Sequence, residues 1–409
     1  MAGSQPHARW EPLSPVTGPA VRITLFNIAL LLAAVAPRAE AQRGWADLSR
    51  RFDAFAEAAG VVGGSAALVR KGEIVARHHY GLADRASNRK VTGRTIYHWA
   101  SVTKTLTAIA VLQLRDRGLL SLDDRITRWV PELREIHDPD GMVDSITIRM
   151  LLSHLSGLQG PTWPWSGGES WEPFEPTAWD QLVAMMPYQR LHFRPGSRYG
   201  YSNPGYIYLA RVIEKLTGDP WAVYVQKNLW TPLGMDRSYV GATPYHLAAD
   251  RSHGYRVEAD SLTDVGADFD PGVTIPNSGW NAPVDDLARY LGFLSGFPSD
   301  PATRARYDGV LGRRTRQEMW TPSVETGAAL PELASAGLGF FSLHAGGRLI
   351  VGHTGDQAGY RSYVYLDPAA SSGIILVFNT TNDDGAGDRE MAALAREAIA
   401  LLGRTGTGN

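Results

Sequence analysis

Two apolar runs flank a turn in the stretch Ala66-Ala67-Leu68-Val69-Arg70-Lys71-Gly72-Glu73-Ile74-Val75-Ala76. Short apolar runs on either side of a turn-forming pair indicate two β-strands. We therefore predict an antiparallel hairpin near the start of the folded chain. Because an isolated hairpin is at best marginally stable in water, these strands need partners from elsewhere in the sequence.

The C-terminal part of the chain repeats this pattern. Apolar segments at residues 349–351, 362–366 and 373–379 lie between Gly and Asp-Pro turn signals. Since the strands from each end must bury one face, we predict that they join in one antiparallel sheet. Helical spacing of apolar residues predicts helices at residues 45–59 and 388–402, which would cover this sheet.

Helices dominate the segment between the two ends. Apolar residues recur with helical spacing at residues 102–117, 147–153, 206–216, 221–229 and 285–295. We therefore predict an α+β fold, with an antiparallel sheet from both chain ends, flanking helices and a mostly helical inserted subdomain. The predicted domain spans residues 42–405, with a sheet subdomain at about 42–100 and 330–405 and a helical subdomain at about 101–329.

The N-terminal region contains one long apolar run, residues 23–36, followed by the small-x-small sequence Ala39-Glu40-Ala41. A membrane-spanning helix needs about 20 residues, so this run is short for a permanent anchor. We predict that residues 1–41 are a signal peptide cleaved before Gln42, and that the protein is exported, either periplasmic or secreted. No stable membrane partner is expected after cleavage. An uncleaved anchor is the alternative.

The composition is that of an ordinary globular protein, with 44% hydrophobic residues, 20% charged residues and a formal net charge of −2. This balance argues against nucleic acid as a partner, because nucleic-acid binding needs clustered Lys and Arg. The absence of cysteine excludes disulfides, thiolate metal sites and cysteine nucleophiles. No spacing of His or carboxylates is typical of a metal site, and no nucleotide-binding motif occurs. We expect neither metal nor cofactor.

Ser101 and Lys104 form the first candidate catalytic pair. They occupy the sequence Ser101-Val102-Thr103-Lys104 at the start of a predicted helix, where residues three apart share a face. A serine hydroxyl needs a base to become a good nucleophile, and lysine can serve if its pKa is lowered. The same four residues also fit a helix N-cap serine followed by a surface lysine, which is the commoner meaning of this motif alone.

Two further polar groups lie far along the chain. Tyr201-Ser202-Asn203 lies in a predicted loop. The phenol of Tyr201, beside an ammonium, can approach the phenolate form and relay a proton. The side-chain amide of Asn203 can hold a carbonyl or a lysine. His353-Thr354-Gly355 precedes a strand that begins near Ser362. We predict that this strand lies at an edge of the sheet, where it would align a substrate backbone.

Together these groups resemble the motifs of the penicilloyl serine hydrolases, which include class C β-lactamases, their esterase relatives, D-aminopeptidases and DD-peptidases. The resemblance covers nearly all of the chain beyond residue 42. Scaffold phrases of that family recur in the same order, as Ile146-Thr147-Ile148-Arg149, then Leu151-Leu152-Ser153-His154-Leu155-Ser156-Gly157-Leu158, then Pro195-Gly196, then Pro232-Leu233-Gly234-Met235.

The resemblance implies a role for each motif. Ser101 would be the nucleophile, Lys104 the base or its electrostatic partner, and Tyr201 the proton donor to the leaving group. The identity of the acylating base is disputed in related enzymes. Asn203 would bind substrate or Lys104.

The resemblance also implies the substrate-binding residues of the third motif. The oxyanion hole would consist of the backbone N–H of Ser101 and that of Asp356, whose carboxylate would have to point away from the oxyanion. The other substrate-binding residues would be His353, Thr354 and Gly355.

His353 departs from the β-lactamase pattern, which usually has Lys at this position. With a reference pKa of about 6.5, histidine is mostly neutral at pH 7 and attracts a substrate carboxylate less. We therefore expect hydrolysis of an ester or amide in a small molecule or short peptide, most like an esterase. The alternatives are a β-lactamase, a D-amino-acid-specific peptidase, or a catalytically silent relative that binds peptidoglycan or a protein.

Three other features have a structural and a functional interpretation. The tryptophan-rich segment 161–179 would pin a long loop to the body or form the wall of an acyl pocket. Tyr360 would be another wall residue or a core anchor. We expect His154 to make a buried scaffold hydrogen bond and to have no catalytic role.

Overall fold

The computed structural model describes residues 1, 3, 42–158, 176–258, 261–296, 300–328, 333–382 and 386–404. Apart from residues 1 and 3, the predicted signal peptide lies outside these residues, as does most of the tryptophan-rich segment 161–179. Within the described ranges, no helix is long and apolar enough to span a membrane.

The strands fall into one large and two small sheets. In chain order they are β1 (Gly63–Arg70), β2 (Glu73–Asp84), β3 (Arg89–Lys90), β4 (Ile96–His98), β5 (Tyr239–Val240), β6 (Gly254–Glu258), β7 (Ser261–Gly266), β8 (Trp280–Pro283), β9 (Val324–Glu325), β10 (Ser335–Ala336), β11 (Phe341–Ala345), β12 (Arg348–Gln357), β13 (Tyr360–Asp367), β14 (Ser372–Phe378) and β15 (Thr380–Asn382).

The helices occupy both ends of the chain and most of its middle. They are α1 (residues 42–58), α2 (Thr103–Asp116), α3 (Ile148–Leu152), α4 (Trp179–Met185), α5 (Pro204–Thr217), α6 (Trp221–Val225), α7 (Thr231–Leu233), α8 (Ile275–Ser278), α9 (Val284–Ser295), α10 (Pro301–Val310), α11 (Arg313–Trp320) and α12 (Ala386–Arg404). A π-helical turn, Gln226–Trp230, joins α6 to α7.

The large sheet joins the two ends of the chain, as predicted. Its strand order is β3-β2-β1-β14-β13-β12-β11-β10-β9, and β1 pairs antiparallel with β14. The predicted hairpin is β1–β2. Its turn places Lys71 at φ 52° and Gly72 at φ 85°, and two left-handed residues match the right-handed twist of the paired strands.

Apolar side chains cover both faces of this sheet. Phe52 of α1 stacks on Phe378 of β14, with ring centroids 4.7 Å apart, and Leu394 of α12 belongs to the same buried cluster. The opposite face packs into a larger core that includes Leu106 of α2 and Leu291 of α9. The two layers confirm the α+β fold with terminal helices over the sheet.

The inserted segment contains more β-structure than its helical periodicity indicates. Strands β4, β8 and β5 form a second sheet, and β15, β6 and β7 form a third. Each of these strands has only two to six residues, and β4 and β8 are buried throughout. Strands that are short, or buried on both faces, show no clear alternation of apolar and polar residues.

The prediction that the strand near Ser362 lies at an edge of the sheet is wrong. This residue lies in β13, which is flanked by β12 and β14. The open edge belongs instead to the last residues of β12, because β11 pairs with β12 only as far as Phe341 opposite Gly352. The free edge therefore arises from the short length of β11, which the sequence around residue 362 does not reveal.

Candidate active site

Ser101 lies in the 3-10 turn Ala100–Val102 between β4 and α2. Ala100 and Val102 are buried, whereas Ser101 is partly exposed. Ala100 has φ 47°, a left-handed conformation that is unusual for a residue with a Cβ and often marks functional sites. The buried neighbours thus hold the serine at the surface of the helix start.

Lys104 is directed back toward Ser101 from the first turn of α2. Its side chain is fully buried, Nζ lies within hydrogen-bond distance of Ser101 Oγ at 3.1 Å, and Nζ donates to the carbonyl of Asn277 at 3.0 Å. No carboxylate forms an ion pair with Lys104 in the part of the chain that the structure describes. Burial therefore lowers the pKa of Lys104 well below its ordinary value, which favours the neutral amine that can act as a base.

Tyr201 reaches Ser101 from a different part of the chain. Its phenol hydrogen-bonds to Ser101, and Lys104 Nζ lies 4.9 Å from the centre of its ring. Burial raises the pKa of Tyr201, and the hydrogen bond to Ser101 offsets only part of this effect. The phenol is thus neutral at pH 7 and carries a proton that it can donate.

His154 holds the loop that carries Tyr201. Its Nδ1 accepts the backbone N–H of Ser202 at 3.0 Å, and its ring stacks on that of Tyr201. Burial, followed by the charges of Lys104 and His353, lowers the pKa of His154 well below its ordinary value, which keeps this acceptor unprotonated. The expected scaffold hydrogen bond is present, and the stacking on Tyr201 is a contact between distant segments that the sequence does not indicate.

Asn203 precedes α5 and lies near the same group without reaching Lys104. Its Oδ1 is buried and has no hydrogen-bond partner among the described residues, and its carbonyl accepts from the Asn277 side chain at 3.4 Å. The carbonyl of Asn277 takes the position beside Lys104 that the sequence offered to Asn203. Any residue type can supply a carbonyl, so no sequence signal identifies Asn277.

His353 lies in β12 on the other side of Tyr201. Its Nδ1–H donates to the carbonyl of Thr354 at 2.6 Å, so Nε2 carries a lone pair. Burial and the charge of Lys104 lower the pKa of His353 to about 3. The imidazole is therefore neutral at pH 7 and gives the site no fixed positive charge.

Gly355 allows β12 to pass close to the nucleophile. A Cβ at this position would overlap the carbonyl oxygen of Trp99 and lie 2.6 Å from Ser362 Oγ. β12 therefore runs along the Ala100–Val102 turn. Thr354, the residue before Gly355, is half-buried.

Asp356 directs its carboxylate toward the neighbouring strand. The carboxylate is half exposed and forms an ion pair with Arg361, its register partner in β13, at 2.6 Å. The negative charge of Asp356 is thus paired with the guanidinium of Arg361. The assignment of the Ser101 and Asp356 N–H groups to an oxyanion hole stays a prediction.

The remaining candidates have structural contacts. The Tyr360 hydroxyl donates to the carbonyl of Ser252 at 2.5 Å, and the ring is buried, so this residue is a core anchor. Trp179, the tryptophan of the segment 161–179 that lies within the described residues, packs edge-on against Tyr208. No group of His, Asp and Glu in the described ranges is arranged to hold a metal ion.

Similarity to known proteins agrees with this arrangement. Residues 48–398 match the family model described as Beta-lactamase. The chain is 31% identical over 392 residues to Esterase EstB of Burkholderia gladioli, covering 87% of this chain and 95% of that protein.

Two solved structures share the fold over most of their length. The octameric penicillin-binding protein homologue from Pyrococcus abyssi superimposes with a TM-score of 0.73 at 25% identity, covering 87% of this chain and 77% of that chain. The D-amino acid amidase from Ochrobactrum anthropi, in complex with L-phenylalanine, gives a TM-score of 0.71 at 22% identity, covering 89% and 98%. The latter similarity concerns the fold alone.

The family match extends over the large sheet, the insert and all three motifs. It confirms the resemblance inferred from the Ser-x-x-Lys, Tyr-x-Asn and His-x-Gly groups. The chain therefore belongs to the β-lactamase family, and it is a serine hydrolase.

Proposed function

We propose that this protein hydrolyses esters through an acyl-enzyme on Ser101, with Lys104 as the base and Tyr201 as the proton donor. One observation carries the proposal. Ser101 Oγ lies 3.1 Å from Lys104 Nζ and also hydrogen-bonds to the Tyr201 phenol, so the nucleophile touches both a base and an acid.

The proposed acylation begins with the neutral amine of Lys104. It takes the proton of Ser101 Oγ as the oxygen attacks the ester carbonyl carbon, and the carbonyl electron pair moves to its oxygen. The N–H groups of Ser101 and Asp356 would stabilise that oxyanion. Its collapse breaks the bond to the alcohol oxygen, which receives the Tyr201 proton, and Lys104 returns a proton to Tyr201.

Deacylation follows the same route in reverse. Water attacks the acyl carbon and loses one proton through Tyr201 and Lys104, and Ser101 Oγ leaves with a proton. The sum is one ester and one water converted to an acid and an alcohol. No metal or cofactor takes part in these steps.

The charges of the site favour an uncharged substrate. Burial pushes both Lys104 and His353 toward neutrality, and Arg361 forms an ion pair with Asp356. A substrate carboxylate would therefore find little fixed positive charge. The similarity to Esterase EstB supports the same preference, and a β-lactam or a D-amino-acid amide remains the alternative substrate.

We also propose that residues 1–41 direct export and are removed before Gln42, so that the mature enzyme is periplasmic or secreted. The apolar run at residues 23–36 and the Ala39-Glu40-Ala41 sequence support this proposal. Mass spectrometry of the protein from the exporting cell should give an N-terminus at Gln42. Recovery of the full-length chain in the cytoplasm would contradict export.

The acyl-enzyme is tested with a fluorophosphonate and intact-mass analysis. We expect one adduct on Ser101 in the wild type and none in Ser101→Ala. A folded wild-type protein that gains no mass would refute the enzymatic proposal and favour the silent binding relative.

A substrate panel then tests the preference for esters. Short-chain p-nitrophenyl esters should give a higher kcat/KM than cephalosporins and D-amino-acid amides. A cephalosporin with the higher kcat/KM would show that a neutral His353 does not discriminate against a carboxylate.

A further inference from the structure

The last residues of β12 have a strand partner on one side only within the described part of the chain. The pairing with β13 continues to Gln357, whereas the pairing with β11 ends at Gly352. The same strand packs against the Ala100–Val102 turn. Backbone hydrogen bonds from β11 therefore do not fix the distance between this segment and Ser101.

A chain of side-chain hydrogen bonds joins the end of β12 to β4 and β8. His98 is buried, and its Nε2 lies 3.2 Å from Oε1 of the Gln357 side chain. Its Nδ1 lies 3.0 Å from Oδ1 of Asn281, which is also its backbone partner in the β4–β8 pairing. Gln357 thus ties the end of β12 to the strand that leads to Ser101.

The donors and acceptors in this chain follow from its geometry. The Asn281 Nδ2 donates to the carbonyl of Gly279 at 3.3 Å, so its Oδ1 accepts from Nδ1–H of His98. Burial and the charge of Arg251 lower the pKa of His98 to about 4, so the ring is neutral at pH 7. Its Nε2 then accepts, so the Gln357 amide, whose oxygen and nitrogen exchange places by a half-turn, must present its NH2 group to the ring in place of Oε1.

We propose that Gln357 and His98 are positioning residues for the oxyanion-binding N–H groups of Ser101 and Asp356. This inference rests on the proposed function, which gives those N–H groups their role. Gln357 directly follows Asp356, and His98 lies three residues before Ser101. Their hydrogen bond therefore joins the two backbone segments that carry the donors.

The consequence for the rate follows from the geometry of oxyanion stabilisation. Loss of one oxyanion donor lowers kcat by about 10² to 10³, and a misplacement of about 1 Å is enough to lower a rate substantially. Loosening the Gln357–His98 hydrogen bond should therefore slow the chemical step more than it weakens reagent binding.

The test compares Gln357→Met with Gln317→Met. The first substitution removes the amide while keeping the length of the side chain, and the second changes an exposed glutamine on α11. Fluorophosphonate labelling of Ser101 should slow about tenfold at saturating reagent in Gln357→Met, with the half-saturating concentration unchanged. Gln317→Met should label at the wild-type rate.

A second arm shows whether His98 and Gln357 act as a unit. His98→Phe should slow labelling by a similar factor, and the double variant with Gln357→Met should be no slower than either single variant. His98→Gln, whose amide can bridge Asn281 and Gln357, should label within about threefold of wild type. If His98→Phe does not fold, the labelling rate of His98→Gln serves as the measurement for His98.

The outcomes separate this inference from the proposed function. If the wild type forms no adduct on Ser101, both fail. If the wild type labels and Gln357→Met labels as fast as Gln317→Met, only the positioning role fails. Effects that multiply in the His98→Phe/Gln357→Met variant would likewise overturn the proposed connection between the two residues.

Discussion

The imidazole of His154 stacks on the phenol ring of Tyr201, with ring centroids 4.5 Å apart and 30° between their planes. The same imidazole accepts the N–H of Ser202 at 3.0 Å. One side chain therefore holds both the ring and the adjoining backbone of the proposed proton donor. The position of Tyr201 depends on this residue from the scaffold phrase Ser153-His154-Leu155.

Replacing His154 should separate the contributions of its ring and its acceptor. His154→Phe keeps an aromatic ring but leaves the buried N–H of Ser202 unpaired, which costs about 1 to 3 kcal/mol. We expect a loss of this size in the free energy of unfolding, measured with urea, together with slower acylation. His154→Asn tolerates the φ of 58° and can accept through Oδ1, so it should lose less stability. A Phe variant more stable than the Asn variant would refute the importance of the acceptor.

The buried histidines should make stability depend on pH below neutrality. Burial lowers the pKa values of His98 and His353 from 6.5 to about 4 and about 3. As the pH falls below 6.5, the unfolded chain binds protons that the folded chain does not. The free energy of unfolding should therefore decrease by about 1.4 kcal/mol per pH unit for each such histidine, down to about pH 4.

The variant His353→Gln tests this origin of the pH dependence. Urea unfolding between pH 6 and pH 4.5 should show a slope smaller by about 1.4 kcal/mol per pH unit than in wild type. An unchanged slope would mean that His353 binds the same number of protons in the folded and the unfolded protein, so that its burial does not cause the pH dependence.

Lys104 and Tyr201 should behave as one proton-transfer unit. Lys104→Ala and Tyr201→Phe should each slow acylation by about 10² to 10⁴, the range for general acid–base catalysis. Because both groups handle the proton of Ser101, the double variant should be little slower than either single variant. Burst kinetics with a p-nitrophenyl ester measure this step. Near-wild-type acylation in Tyr201→Phe would show that the tyrosine ring packs in the site without transferring a proton.

The pH profile of acylation should follow the neutral form of Lys104. Burial lowers its pKa well below 10.5, so the fraction of free amine, and with it the acylation rate, should rise with pH and level off well below pH 10.5. Single-turnover acylation across the pH range measures the midpoint. A rate that keeps rising up to pH 10.5 would indicate an ordinary, protonated lysine.

Gly355 and Gly309 should respond in opposite directions to alanine. Gly355→Ala places a Cβ against Trp99 and Ser362, so β12 must move and both stability and acylation should fall. Gly309 lies in α10 with no atom near the position of a Cβ, and its replacement should raise the free energy of unfolding by about 0.5 to 1 kcal/mol. Thermal unfolding and fluorophosphonate labelling check both. An active Gly355→Ala variant would contradict the close approach of β12.

Local relationships in this protein follow from the sequence alone. The spacing of Ser101 and Lys104 predicts two side chains on one helix face, and Nζ lies 3.1 Å from Oγ. The hairpin around Lys71-Gly72 and the helices at both ends follow in the same way, because turn chemistry and apolar periodicity act over a few residues.

Relationships between distant segments were decided by the tertiary structure. The carbonyl of Asn277 holds Lys104 across 173 residues of sequence, and no residue type signals such a contact. The open edge lies on β12 rather than near Ser362 because of the length of β11, a different strand. The shifted pKa values of Lys104 and His353 come from burial, which depends on what the whole chain packs around them. The sequence determined which chemical groups are present and which near neighbours share a face, and packing decided their distances, their ionisation and which strand remained open.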